Sequence, residues 1–199
     1  MAGIRHEPGM TRDSESPARL SADELFRVHA PFVARFLVQL GVSREDLDDV
    51  LQEVFLVVHA RGGYVAGPAK PTSYLGSIAV RAAHAHRRRA TAQRARDGGD
   101  DTDALATSAP DADERIASDQ QSVHIQRALA QLPDDLRAVL LLVELEGESC
   151  TSVAASMQCP VGTIYWRLHN AKKQFRRALA CEEARAQVPT GHVRNGWGS

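Results

Sequence analysis

The stretch Gly147–His169, GESCTSVAASMQCPVGTIYWRLH, decides the fold. A short helix with Val153, Ala154 and Met157 turned inward is interrupted at Cys159-Pro160, and a second helix follows. That second helix carries Arg167, Lys172, Lys173, Arg176 and Arg177, and residues 149–181 contain neither Asp nor Glu. Two helices joined by a tight turn, the second of one charge sign, form a helix-turn-helix suited to a DNA major groove. Ile164, Leu168, Ala171, Phe175 and Leu179 share one face of the second helix and form its core side. Thr163, Tyr165, Trp166, His169, Asn170 and Lys173 fall elsewhere and can meet a groove. There Asn pairs two-fold with adenine and Thr touches a thymine methyl group. Trp166 admits a second place, packed against the other half of the chain or a partner.

Working outward, the same helical grammar recurs. Leu129-Ala130-Gln131-Leu132-Pro133 turns the chain before a helix with Leu136, Val139, Leu140, Val143 and Leu145 inward, ended by Gly147. A weaker helical pattern covers residues 113–132. Near the front, Ser21 with Glu24 is a capping box. Leu25, Phe32, Val33, Phe36, Leu37 and Leu40 follow at helical spacing, with Pro31 as an expected kink and Gly41 as the stop. Ser43 with Asp46 opens a second helix with Leu47, Val50, Leu51, Val54, Phe55 and Val58 buried. A Gly/Pro loop leads to about Pro71, and Thr72 or Ser73 then caps a third helix, residues 74–96, with Leu75, Ile78, Ala79 and Ala82 inward.

Charge is segregated along the 199 residues, although the formal net charge is only −1. Residues 74–96 are purely basic, and residues 97–119 hold eight acids against Arg115. Local charge, not the total, therefore points to partners. The expected fold is all-α: two small helical domains joined by an acidic flexible linker, the C-terminal one a helix-turn-helix. Expected boundaries are a disordered tail (1–20), a first domain (21–96), the linker (97–121), a second domain (122–181) and a C-terminal tail (182–199). The linker reads either as a plain soluble tether or as a polyanion that competes with nucleic acid for basic channels.

Three segments carry binding chemistry in the first domain. The second helix exposes Glu45, Asp48, Asp49, Gln52 and Glu53, either a solvated face or one that docks onto a basic protein surface. The third helix presents Arg81, His84, His86, Arg87, Arg88, Arg89, Arg94 and Arg96 over several turns without compensating acids, which favours phosphate binding. Tyr64 and Tyr74 flank the preceding loop, placed for the core or for stacking on an unpaired base. The odd count of Cys150, Cys159 and Cys181 argues against a disulfide scaffold and fits a reducing compartment. His84 and His86, two apart on a helix, do not face each other, so no metal site is expected. Cys159 reads as a packed thiol, with redox sensing as the alternative. No apolar run has the length of a membrane span, and the polar first sixteen residues do not resemble a secretory signal.

The ordered set of motifs resembles the extracytoplasmic-function (ECF) branch of the bacterial sigma-70 family. Asp48-Asp49-Val50-Leu51-Gln52-Glu53-Val54-Phe55 looks like the helix that binds core polymerase. Tyr74-Leu75-Gly76-Ser77-Ile78-Ala79 is similar to the start of the −10-reading helix. Leu129–Pro133, Gly147-Glu148-Ser149 and Cys159–Ile164 resemble the −35-reading domain. The resemblance implies a non-enzymatic transcription initiation factor without cofactor, acting in the bacterial cytoplasm on core RNA polymerase and promoter DNA and silenced by an anti-sigma factor.

It assigns Asp48, Asp49, Gln52 and Glu53 to polymerase binding. It assigns Tyr64, Tyr74, Arg81, His84, Arg87, Arg88 and Arg89 to the −10 element, with residues 64–73 as the loop that captures a flipped base. Thr163, Tyr165, Trp166, Arg167, His169, Asn170 and Lys173 go to the −35 element, with Arg167 on a phosphate. The family usually has Trp, Asn and Asp where this chain has Tyr74, Arg81 and Ala85. It also has a small basic-Ser pair where Tyr165-Trp166 stands, so the promoter sequence does not transfer. A dimeric duplex-binding regulator is the rival reading, but it leaves the Gln52-Glu53 helix unexplained and finds no dimer helix here.

Overall fold

The computed structural model describes residues 18–96 and 118–187. The acidic linker expectation falls mostly on residues 97–117, outside the described residues. Among the described residues seven α-helices dominate: α1 (Ala22–Gln39), α2 (Leu47–Ala60), α3 (Pro71–Arg96), α4 (Ser118–Ala130), α5 (Asp134–Leu140), α6 (Cys150–Met157) and α7 (Val161–Gln187). A π-helical turn, Leu141–Leu145, extends α5.

The local signals operate as read. The Ser21 hydroxyl accepts from the Glu24 amide while the Glu24 carboxylate accepts from the Ser21 amide, closing the capping box of α1. Pro31 lies inside α1 without ending it, and Leu25, Phe32, Val33, Phe36 and Leu37 are buried along the helix. Ser43 caps a turn just ahead of α2: its hydroxyl donates to the Asp46 carboxylate and accepts from the Asp46 amide. That hydroxyl holds the Asp46 carboxyl below its ordinary value, opposed by burial and assisted by His86. A depressed carboxyl contributes stability above its unfolded value, about pH 4, and loses it as pH falls through the folded value. Ser43→Ala is therefore expected to cost about 0.5–1 kcal/mol at neutral pH, and less below about pH 4, in urea melts at the two pH values.

Several boundaries differ from those expected. Arg19–Leu20, assigned to a disordered tail, instead pairs antiparallel with Tyr64–Val65, with Leu20 opposite Tyr64. Gly63 permits this: its φ is +91°, and a Cβ there would sit 2.2 Å from the Leu20 carbonyl oxygen. Helix α3 begins at Pro71, not Tyr74, because a proline without an N–H suits a first turn and the Lys70 carbonyl already accepts from the Tyr74 amide. The hydroxyls of Thr72 and Ser73 are thereby free for other partners. Helix α4 starts within the expected linker, at Ser118, and α7 runs past the expected domain end to Gln187.

In the C-terminal half, Ser149 caps α6 by accepting from the Ser152 amide. Gln158 ends α6 in the left-handed region (φ 55°), and the chain turns through Cys159-Pro160 into α7. Val153, Ala154, Ile164 and Ala171 are buried, whereas Met157, Leu168, Phe175 and Leu179 are half-buried. Leu145, expected inside, is 56 % exposed: the π turn adds a residue and rotates it out of the α5 stripe.

The two helical halves share one continuous apolar core. The joint is α3, which is buried on two sides. On one side Leu75, Ile78, Ala79 and Ala82 join the core of α1 and α2. On the other, α3 meets α5 and α6, where Gly76 lies under Leu142 so closely that a Cβ would come within 2.7 Å of a leucine methyl carbon.

Candidate nucleic-acid and partner interfaces

Helix α2 turns its apolar stripe inward and leaves Asp48, Asp49 and Gln52 exposed on the other side. Glu53 is only half-exposed and is already engaged: both of its carboxylate oxygens accept from Arg89, at 2.6 and 2.9 Å. Asp48, Asp49 and Gln52, with exposed Glu45 just ahead of the helix, are therefore open to an outside partner, while Glu53 ties α2 to α3.

The basic run of α3 is sorted by the helical period into three directions. His86 and Arg89 face α2, reaching Asp46 (3.2 Å) and Glu53. His84 and Arg87 face the C-terminal half, where both reach the Asp134 carboxylate, and Arg87 also donates to the Leu40 carbonyl. Arg81 and Arg88 point to solvent in line with half-buried Tyr74 and Ala85. Tyr74, Arg81, Ala85 and Arg88 thus form one strip along the solvent side of α3.

Tyr64 and Tyr74 come together, ring centroids 5.6 Å apart, at the base of the loop before α3. Tyr64 is buried and donates to the Ala69 carbonyl, and Tyr74 donates to the Gly63 carbonyl. Of the two places open to Tyr64, core or stacking surface, the ring takes the core. Its ring is core and its hydroxyl braces the loop, since a phenol buried this deeply needs an internal acceptor.

Helix α7 presents Tyr165 (58 % exposed), Trp166 (64 % exposed), His169 and Lys173 to solvent. The alternative of Trp166 packed between the halves is thereby removed. Thr163 is half-buried near the helix start. Arg167 is paired with Asp135 at 2.9 Å, and Lys172 with Glu144 at 2.8 Å, so α5 and its π turn supply acids to the acid-free front of α7. Asn170 spends one amide proton on the Trp166 carbonyl of its own helix, 2.9 Å away. Sequence reasoning missed these engagements because each partner lies on another element or one turn back.

Among the described residues no helix is long and apolar enough to cross a membrane. No three His, Cys, Asp or Glu side chains among them gather as metal ligands. Cys150 and Cys159 are half-buried free thiols, and Cys181 is exposed.

Two family models match the chain. The model of sigma-70 region 2 matches residues 25–93, spanning α1 to α3, and that of sigma-70 region 4 matches residues 122–175, spanning α4 into α7. The ECF RNA polymerase sigma factor SigM of Mycobacterium tuberculosis is 32 % identical over 161 residues, covering 81 % of this chain and 78 % of SigM. The ECF sigma-E factor of Escherichia coli is 29 % identical over 147 residues, covering 69 % of this chain and 75 % of that protein. In fold, the chain is similar to the sigma factor RpoE of Bartonella quintana, solved with the anti-sigma factor NepR. The TM-score is 0.61 at 18 % identity, over 79 % of this chain and 96 % of that one. It is also similar to CnrH, solved with the cytosolic domain of CnrY (TM-score 0.54, 19 % identity, over 80 % and 88 % of the two chains). The chain belongs to the ECF RNA polymerase sigma factors of the sigma-70 family.

Proposed function

We propose that this sigma factor divides promoter-specific initiation among α2, α3 and α7. As a member of its family it is a non-enzymatic factor that directs core RNA polymerase to promoters. Asp48, Asp49 and Gln52 form the polymerase-facing edge of α2, with Glu53 setting the angle between α2 and α3 through Arg89. Charged rims of this kind set register and encounter rate. Along α3, Arg81 and Arg88 take phosphates of the opened −10 strand, while Tyr74 offers the aromatic edge nearest the loop. His84, Arg87 and Arg89 contribute once their internal partners are exchanged for phosphate.

The observation that carries the reading is the front of α7. A helix-turn-helix without acids between residues 149 and 181 sends Tyr165, Trp166, His169 and Lys173 outward together. Large aromatics exposed beside cations are costly on an idle surface and useful in a groove. Trp166→Ala is expected to lower use of the cognate −35 element by about 1–3 kcal/mol in run-off transcription, with polymerase binding intact. Equal activity on promoters with and without the −35 element in both proteins would remove this assignment.

An anti-sigma factor is a further proposed partner, since RpoE of Bartonella quintana was solved with one. A groove of about 440 Å³ lined by Ile125, Leu129, Leu145 and Phe175 offers apolar surface for such a protein, and the exposed Leu145 belongs to it. The proposed place of action is the bacterial cytoplasm, where polymerase and template are.

A further inference from the structure

Recognition helices meet base edges with their N-terminal residues. In α7 those residues make a mostly apolar surface. Opposite the core side of Ile164, Leu168 and Ala171, the leading turns expose Val161, Gly162, Tyr165, Trp166 and His169. The helical period puts Gly162, Trp166 and His169 on one line, with Tyr165 beside them. Exposed cations follow only further along, at Lys173, Arg176 and Arg177, where they suit phosphates.

The side chains that grip a base edge two-fold are missing from these leading turns. In a major groove Arg, Lys, Asn and Gln do this. Arg167 leans on Asp135 (2.9 Å) and Lys172 on Glu144 (2.8 Å). Asn170 turns its amide nitrogen back to the Trp166 carbonyl (2.9 Å). What faces outward is two aromatic rings, Trp166 with a single N–H and Tyr165 with a single hydroxyl. The base edges of a major groove carry one apolar group, the C5 methyl of thymine. A ring laid over that methyl releases water from both surfaces.

Gly162 makes room for such an approach. A Cβ there would meet nothing within 4 Å among the described residues, and its φ is not among the positive ones. Neither internal space nor backbone conformation asks for glycine at this position. One turn ahead of Trp166, a bare backbone lets a duplex lie closer to the helix than a side chain would allow.

We infer that Tyr165 and Trp166 read the −35 element through the C5 methyl groups of thymine, by apolar contact instead of two-fold hydrogen bonding. This rests on the assignment of α7 to the −35 element given above. Lys173, Arg176 and Arg177 then hold the backbone while the two rings supply the sequence preference.

The test is run-off transcription by core polymerase with the full chain on a cognate promoter. Deoxyuridine replaces thymine, one position at a time, on either strand of the −35 element. Uracil keeps every hydrogen-bonding atom of thymine and lacks only the methyl group. The parent is expected to lose about four-fold at each contacted position, the worth of one buried methyl. Trp166→Gln and, separately, Tyr165→Gln should abolish the loss at the position each ring covers, whereas Trp166→Leu should keep it. Both rings are exposed, so these variants are expected to fold as the parent does. A parent indifferent to uracil at every position overturns the inference, as does an equal uracil loss in the parent and both Gln variants. If Trp166→Gln lowers transcription equally with a cognate and a scrambled −35 element, the ring faces a protein partner and the inference also fails. Methylated cytosine presents the same group in the groove. A response to 5-methylcytosine in place of cytosine, with uracil tolerated throughout, would move the contact to modified DNA and overturn the thymine assignment. A parent that transcribes equally from cognate and scrambled −35 elements counts instead against the −35 assignment of α7 itself, which separates the two failures.

Discussion

Arg137→Met is expected to destabilise the protein by about 3 kcal/mol, a fall in Tm of roughly 6–12 °C for a chain of this size. Arg137 is buried, and its guanidinium donates to the carbonyls of Leu40 (3.0 Å), Ala130 (2.9 Å) and Leu132 (3.0 Å). Burial pulls its pKa below the ordinary arginine value, opposed by the Asp134 charge and assisted by Arg87. Methionine keeps the volume of the stem and removes the donors. The Leu40 carbonyl retains Arg87 as a donor, but those of Ala130 and Leu132 lose their arginine. Each buried orphan acceptor costs about 1–3 kcal/mol, partly offset because the desolvated charge is gone as well. Calorimetry or urea unfolding checks the value, and a change under about 0.5 kcal/mol would mean that these carbonyls find water.

The double substitution Asp49→Ala/Gln52→Ala is expected to weaken association with core polymerase by about 30- to 150-fold, equal to about 2–3 kcal/mol. Both side chains are exposed on α2 and neither enters its buried stripe, so stability should stay within about 0.5 kcal/mol of the parent. Glu53 is kept in this test because its pair with Arg89 fixes α3 against α2, and its loss would confuse binding with folding. Anisotropy of a labelled chain titrated with core polymerase gives the ratio directly. Unchanged binding would move the polymerase contact off this face.

The helices themselves were legible in the sequence because each is announced locally. The Ser21-Glu24 box, the positive-φ glycine at position 41, and the 3.6-residue stripes of α1 and α2 need no distant partner to be read. The turn at Cys159-Pro160 is local in the same way. What escaped was whatever depends on two elements meeting. Arg87 and Arg89 are two residues apart and look alike in the sequence, yet the helical period sends one to Asp134 and the other to Glu53. Tyr64 stays open between core and stacking surface in the sequence because nothing local says that its hydroxyl will find the Ala69 carbonyl.

The docking of the two halves was hidden for a related reason. The face of α3 that receives the C-terminal half is written in Ser73, Gly76, His84 and Arg87, which carry no hydrophobic signal. Apolar periodicity, the strongest guide to a core, sees only the Leu75, Ile78, Ala79 and Ala82 side. Small and polar residues at the same period are the trace that a second packing face leaves in a sequence.

Run-off transcription with purified core polymerase tests the central claim most directly. The account predicts that core polymerase with this chain starts transcripts at a cognate ECF-type promoter. It predicts that core alone does not, and that the Asp49→Ala/Gln52→Ala chain restores little of the signal. A chain that binds promoter duplex by itself and leaves core polymerase unchanged would contradict it.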